Sequence, residues 1–293
     1  MTFSIVAIDR QERETGFAIA SCAWNSIQVG LAKADIGSIV SQAVGNRVFR
    51  DLFFEKLGEN KSLEEILEHF REIDDNIEKR QVGMITLDGQ SLSFTGEKCA
   101  HWAGHRIGGD YACQGNILVG PEVIDAMTKS FEDTEGSLAD RLYAALQAGD
   151  DAGGDARGKQ SARIIVVKKG DRPGDDTVVD VTIEDHDEPV KEIGRILSKR
   201  KSLLQCRQLV KGLDQASVEN KLAALQQLEK YLENNADRSF IDAWTTVGYV
   251  QLELGLREKA VTTFRRILEI SPNMIGLFRH EIDENQLPRE IIE

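Results

Sequence analysis

MTFSIVAID (residues 1–9) and GFAIAS (residues 16–21) are the stretches that decide the fold. In the first, Phe3, Ile5 and Val6 are interleaved with Ser4 and Ala7, the pattern of a strand. Arg10 to Thr15 is polar and charged, as a hairpin connection would be. Gly16 to Trp24 then reads as a second strand rich in small residues (Ala18, Ala20, Ser21, Ala23). Small residues inside strands signal that another layer or a ligand approaches closely.

Working outward, Gly37 to Val44 reads as a third strand, followed by two helices. One covers about Val48 to Leu57. The other opens with Ser62-Leu63-Glu64-Glu65, a capping box, and places Leu63, Ile66, Leu67, Phe70 and Ile73 on one face. Gln81 to Leu87 and Gln90 to Thr95 flank Asp88-Gly89, a pair suited to a tight hairpin turn. Tyr111 to Leu118 is a further strand. A helix begins at Gly120-Pro121 with Val123, Ile124, Met127 and Phe131 as its buried stripe. Ser137 caps another, running to about Ala148. Gly149 to Gly158 is a glycine- and aspartate-rich loop, and Ser161 to Lys168 and Thr177 to Glu184 are β-branched strands. This order predicts an α+β fold with two antiparallel sheets covered by helices, a four-layer αββα sandwich. The pattern by itself also permits a simpler α+β domain.

After Asp187 helical periodicity takes over. The expected organisation is one domain over residues 1–186 and an all-α domain over residues 187–293. Trp244, Val247, Gly248, Gly255, Ala260, Phe264 and Pro272 match the spacing of a tetratricopeptide repeat, clearest over residues 241–274. Gln251 stands where that repeat usually carries an aromatic. Gly212, Ala224 and Leu228 echo the pattern more weakly upstream.

The bulk properties narrow the function classes. The chain of 293 residues carries a net charge of −13, which repels phosphate backbones and argues against nucleic acid binding. No apolar run reaches the roughly 20 residues of a spanning helix, so no membrane association is expected. The N-terminus lacks the pattern of a signal peptide, and a cytoplasmic location is the expectation. Cys22, Cys99, Cys113 and Cys206 fit neither a zinc site nor a disulfide framework. His101 and His105 in His-Trp-Ala-Gly-His would share a face only on a helix, which Gly104, Gly108 and Gly109 oppose. No metal and no cofactor is expected, and His105 reads as part of a pocket wall, with Asp9 and Gln42 lining the same cleft.

Thr2 is the first candidate for chemistry. With Met1 removed it would carry a hydroxyl and a free α-amine, and an amine of pKa near 8 can accept the hydroxyl proton. A second-position threonine is also common in proteins without such chemistry.

The succession MTFSIVAID, GFAIAS, GSIVSQA (37–43), RQVGMITLDG (80–89), FTGEKC (94–99), WAGH (102–105), YACQGNILVGPEV (111–123) and GGDARGKQSARIIVV (153–167) resembles domain-of-unknown-function family 1028, which is related to the N-terminal-nucleophile (Ntn) hydrolases. The resemblance runs from Thr2 to about Val167 and implies the αββα fold. It implies hydrolase chemistry only by analogy with the superfamily. Some relatives carry a carboxy-terminal domain suspected of binding peptidoglycan; the helical tail here replaces it.

Enzymes of that superfamily need donors for a tetrahedral oxyanion. Gln114-Gly115-Asn116 is the candidate, with Asn116 offering its side-chain amide and Gly115 allowing a substrate near the backbone. In Gly153 to Ser161, Asp155 and Arg157 read as a charge pair orienting a polar substrate, with Ser161 within reach of the nucleophile. A glycine loop held by an ion pair explains the same residues without a ligand. Lys33 lies where proteasome-like members carry a lysine that lowers the hydroxyl pKa, and a surface lysine is the competing reading. Ser21 falls where the superfamily often has a polar active-site residue.

Two functions follow. The first is an amidohydrolase that cleaves a small amide or peptide-like bond through an acyl-enzyme on Thr2. The alternative is a non-catalytic ligand-binding or scaffold protein that recruits a protein partner through its helical tail. A third, minor reading has Ser21 or Cys22 as nucleophile. A homodimer is the expected assembly, since sandwich domains of this superfamily often pair.

Overall fold

The structure, a computed structural model, describes residues 2–24, 26–233, 235 and 237–293. The expectation concerning Met1 lies outside the described residues. Contacts divide the chain into two units, residues 1–196 and 197–293.

The first unit contains two antiparallel sheets. Six strands, β1 (Thr2–Asp9), β2 (Glu14–Ser21), β7 (Trp102–Ile107), β8 (Tyr111–Leu118), β9 (Ser161–Val167) and β10 (Thr177–Ile183), form one sheet in the order β10-β9-β2-β1-β8-β7. The other contains β3 (Gly30–Lys33), β4 (Gly37–Ala43), β5 (Arg80–Thr86) and β6 (Ser91–Thr95), in chain order. Neither β3 nor β7 is foreshadowed by alternation in the sequence. β3 is four residues long, and β7 is half-exposed or exposed along its length, so no apolar pattern marks it.

Strand alternation sends side chains to two different places. Val6, Ile8, Phe17, Ile19, Val40, Ile85, Ala112 and Val167 point between the sheets and form one apolar cluster. Each fully buried Val, Ile or Phe of this cluster stabilises the fold by about 1.5–3 kcal/mol. Ile39, Val82 and Met84 point the other way, onto α1 (Val48–Gly58) and α2 (Leu63–Ile73), where Phe49 and Phe70 stack with ring centroids 4.1 Å apart. The capping box of α2 is formed as the sequence predicts, Ser62 receiving the Glu65 N–H and Glu65 the Ser62 N–H. α3 (Glu122–Asp133) and α4 (Leu138–Asp151) cover the opposite face of the six-stranded sheet. There Cys113 meets Met127, and Gly149 leaves no room for a Cβ, which would strike Met127 and Phe3.

α5 (Pro189–Val210) runs across the division between the units. That division falls later than the change of sequence character at Asp187. The reason is local: Val190 and Ile193 are buried, and Gly194 lies against the Tyr143 ring.

The second unit is helical. α6 (Val218–Glu233), α7 (Ile241–Glu253), α8 (Arg257–Ile270) and α9 (Ile275–Asp283) follow one another. α7 and α8 are antiparallel and close, since a Cβ on Gly248 would meet the Phe264 ring at 2.7 Å. Gly255, at φ +74°, makes the turn between them. Gln251 is buried, donating to Glu229 and accepting from Thr263. No helix among the described residues is long and apolar enough to cross a membrane.

Candidate functional site

The space between the sheets changes character along its length. At one end it is the apolar cluster described above. At the other, where β1 begins and β2, β4 and β8 end, the inward positions are Thr2, Ser4, Ser21, Gln42, Gln81, Gln114 and Asn116, all buried. The period-2 alternation that buries Val6 and Ile8 buries Thr2 and Ser4 on the same face.

Three of these polar side chains, Asn116, Thr2 and Ser21, lie in a row across adjacent strands with the buried Ser161. Asn116 pairs with Thr2 in the β8–β1 ladder, and Ser21 pairs with Ser161 in the β2–β9 ladder. Between them, Thr2 Oγ1 lies 3.2 Å from Ser21 Oγ. Ser161 is fully buried and donates its hydroxyl to the Ala23 carbonyl at 2.8 Å. It thereby fixes the chain just beyond β2.

Gln81 is the hub of the network beneath this row. Its Oε1 accepts from Gln42 Nε2 at 2.8 Å and Asn116 Nδ2 at 3.0 Å. Its Nε2 faces three acceptors: Thr95 Oγ1 at 2.9 Å, the Gly104 carbonyl at 3.1 Å and the Gly115 carbonyl at 2.8 Å. Reversing the amide would set its oxygen against two carbonyls, so the orientation is fixed. Gln42 Nε2 and Asn116 Nδ2 each also reach the Thr2 carbonyl, at 3.3 and 3.4 Å. Two side-chain amides from different strands thus grip the peptide group of Thr2. Ser4 donates to Gln42 Oε1 at 2.7 Å and accepts from Gln114 Nε2 at 2.6 Å, and Gln114 Oε1 accepts from Ser93 at 3.1 Å. Burying this many polar groups is tolerable because they are uncharged and mutually bonded.

Two of the non-glycine residues with positive φ lie at the same end. Ala43 and Ile117, which directly follow Gln42 and Asn116, have φ of 69° and 52°. The left-handed region costs an L-residue roughly 1–2 kcal/mol, and a β-branched residue there is an outlier. The Ile117 N–H bonds to Ala100 and its carbonyl accepts from Ala156, which holds it in place. Strain that is held this way clusters at functional sites.

The glycine loop after α4 closes one side. Asp155 is buried; Oδ2 accepts the Cys22 N–H at 3.0 Å and Oδ1 the Arg157 N–H at 2.9 Å, and the Arg157 guanidinium lies 3.3 Å from Oδ2. On the other side His105, half-buried on β7, has Nδ1 2.9 Å from Thr95 Oγ1. Thr95 Oγ1 also accepts from Gln81, so His105 is joined to the network through this hydroxyl. Burial, and secondarily Arg106, lower the His105 pKa.

The structure therefore brings Thr2, Ser21, Asn116 and Ser161 together, with Asp155 and Arg157 beside Ser21 through Cys22. Other sequence expectations are corrected. Lys33 sits beside Gly37, at the end of β4 opposite Gln42, with its ammonium 4.5 Å from the Phe54 ring centre. It is not beside Thr2. Asp9 ends β1 at the far side, where its carboxylate accepts the Gln11 and Glu12 N–H groups. Gly115 does not open toward a ligand, because its missing side chain makes room for Leu118 and Ile124. Gln114 is fully buried, its amide bonded to Ser4 and Ser93. Asn116 is committed to Thr2 and Gln81 rather than to an open oxyanion position. Gln81 and Ser4 went unrecognised in the sequence. A single strand carries no signal that one of its polar residues faces a second sheet.

These features define an α+β protein with two antiparallel sheets, a helical C-terminal region and a polar cluster at one end of the sheets. The model of the family of unknown function DUF1028 matches residues 2–193, and the chain belongs to that family. It is similar to the crystal structure of protein SPO2555 from Silicibacter pomeroyi, with 27% sequence identity and a TM-score of 0.61. That match covers 68% of this chain and 88% of the other. No curated protein matches the chain in sequence.

Proposed function

We propose that the first unit is an Ntn-hydrolase-type four-layer αββα sandwich, and that Thr2, once Met1 is removed, is the nucleophile that cleaves a small amide or peptide-like bond. The observation that carries this reading is the 3.2 Å contact between the Thr2 and Ser21 hydroxyls at the polar end of the sheets. With residue 2 as the mature terminus, its α-amine would accept the hydroxyl proton, and Ser21 would orient that hydroxyl. Gln42 and Asn116 hold the Thr2 carbonyl and so fix the direction in which the hydroxyl points. Their role in this reading is to position Thr2, a preorganisation that costs nothing at the moment of reaction. The strained Ala43 and Ile117 support the same location.

Intact-mass spectrometry after incubation with a β-lactone electrophile tests the proposal. One adduct per chain, absent in Thr2→Ala, is expected; an unmodified wild-type chain contradicts it.

A second reading concerns the second unit. Trp244, Glu229, Glu233, Glu258 and Thr263 line a cavity of about 460 Å³ beside buried Gln251. In this reading the helices are tetratricopeptide-like and recruit a protein partner there. Pull-down with full-length protein and with Trp244→Ala tests it: the variant should lose the partners, and equal capture by both proteins contradicts the reading.

A further inference from the structure

The cavity of about 460 Å³ in the second unit is walled by three helices. Its volume falls within the roughly 300–1,000 Å³ of ligand pockets. Glu229 and Glu233 stand one turn apart at the end of α6, Trp244 and Gln251 line the cavity from α7, and Glu258 and Lys259 from the first turn of α8. Three carboxylates thus share the lining with one ammonium. Lys259 does not neutralise them: its side chain is 61% exposed, and its ammonium reaches Glu229 at 3.9 Å.

Glu229 has a structural task, since its Oε1 accepts from buried Gln251 Nε2 at 2.8 Å. Glu233 and Glu258 have none. Both are exposed, and neither side chain has a hydrogen bond or ion pair among the described residues. Glu233 is also the last residue of α6, where the free carbonyls of the helix add to the negative potential. A cation between these carboxylates relieves their repulsion. The carboxylates are spread along the walls: no group of three His, Cys, Asp or Glu side chains among the described residues is close enough to hold a metal ion. That spacing suits a chain carrying several cations. Such a chain also brings carbonyl acceptors, and the wall holds an unused donor, Trp244 Nε1, buried without a hydrogen-bond partner among the described residues. The partly exposed indole is a further surface that attracts a cation.

We infer that this cavity docks a lysine- or arginine-rich peptide segment of a partner protein, with the cations of that segment set against Glu233 and Glu258. The inference rests on the second reading above, which assigns a protein partner to the cavity, and adds the chemistry of that partner.

The probes are a short fluorescein-labelled peptide of alternating alanine and lysine and its glutamine counterpart, titrated with the full-length protein at physiological salt and read by fluorescence anisotropy. The wild type should bind the lysine peptide about tenfold or more tightly than the glutamine peptide. The whole chain is acidic, with a net charge of −13, so the site is separated from diffuse attraction by two double variants of equal charge. Glu233→Gln with Glu258→Gln should weaken the lysine peptide about tenfold. Glu219→Gln with Asp283→Asn, at exposed positions outside the cavity, should change its affinity by less than roughly twofold, because salt screens distant charges. All four side chains are exposed, so both variants keep the fold. Equal affinities for the two peptides, binding of neither, or equal losses in the two variants overturns the inference. If Trp244→Ala loses partners in the pull-down while the lysine peptide is indifferent to Glu233 and Glu258, the docking reading stands and the basic partner falls. If the peptide needs both glutamates while Trp244→Ala captures partners as the wild type does, the reverse holds.

Discussion

Gln81 and Asn116 approach each other from different sheets, the Asn116 amide donating to Gln81 Oε1 at 3.0 Å. Through this bond the four-stranded sheet, which carries no residue of the polar row, dictates how Thr2 is held. Gln81 reads Asn116 and Gln42 at once, and both of those reach the Thr2 carbonyl. This end of the two sheets is therefore assembled as a unit.

Gln81→Leu tests that unity. It removes the acceptor shared by two buried amides and the donor shared by the Gly104 and Gly115 carbonyls. Leaving such groups unpaired costs about 1–3 kcal/mol each, partly relieved by relaxation. The expected loss is about 3 kcal/mol, read from urea denaturation of the full chain. A loss under about 1 kcal/mol would show that the network is not cooperative.

Gly83→Ala attacks the same network from the backbone. A Cβ there would lie 2.2 Å from Gln114 Oε1, whose side chain is bonded to Ser93 and Ser4 and cannot swing away freely. Overpacking of this kind costs roughly 1–3 kcal/mol. Thermal unfolding should show a lowered midpoint; an unchanged midpoint would mean that Gln114 has room to move.

Ser21→Ala separates chemistry from stability. It leaves the ladder intact and removes a hydroxyl that lies 3.2 Å from Thr2 Oγ1. Electrophile labelling of Thr2 should slow about tenfold or more, within the range of positioned proton-transfer partners, while the unfolding midpoint changes little. Unaltered labelling would remove Ser21 from the mechanism.

His105 gives a pH dependence with a definite sign. Its folded pKa lies below the ordinary value of 6.5, chiefly through burial. The unfolded chain therefore binds the proton more readily, and its contribution to stability is complete above that value. It is lost as pH falls below 6.5 toward the depressed folded value. Denaturation midpoints should drop across that window, and the His105 part of the drop should vanish in His105→Gln. An identical profile in the variant would contradict it.

Much of this architecture was legible in the sequence. Alternation marks β1, small residues mark β2 and the Asp88-Gly89 turn marks β5 and β6, while the capping box at Ser62 and the cap at Ser137 mark two helix starts that the structure reproduces. Thr2, Ser21, Asn116 and Ser161 were singled out separately and converge. Trp102 to Ile107 was missed as a strand because glycine and half-exposed residues leave no period. The network was missed for a different reason. Within one strand, an inward polar residue such as Ser4, Gln42 or Gln81 looks the same as one facing water, and only the opposing sheet distinguishes them. Lys33 was misplaced because distance along the sequence says little about which end of a strand a residue occupies.

The central claim concerns residue 2 itself. The most direct test is tandem mass spectrometry of the N-terminal peptide after β-lactone treatment of the full-length protein. The account predicts a peptide that begins at Thr2 and carries the adduct on that residue. A peptide that still begins with Met1, or an adduct confined to Cys22 or another residue, would contradict it.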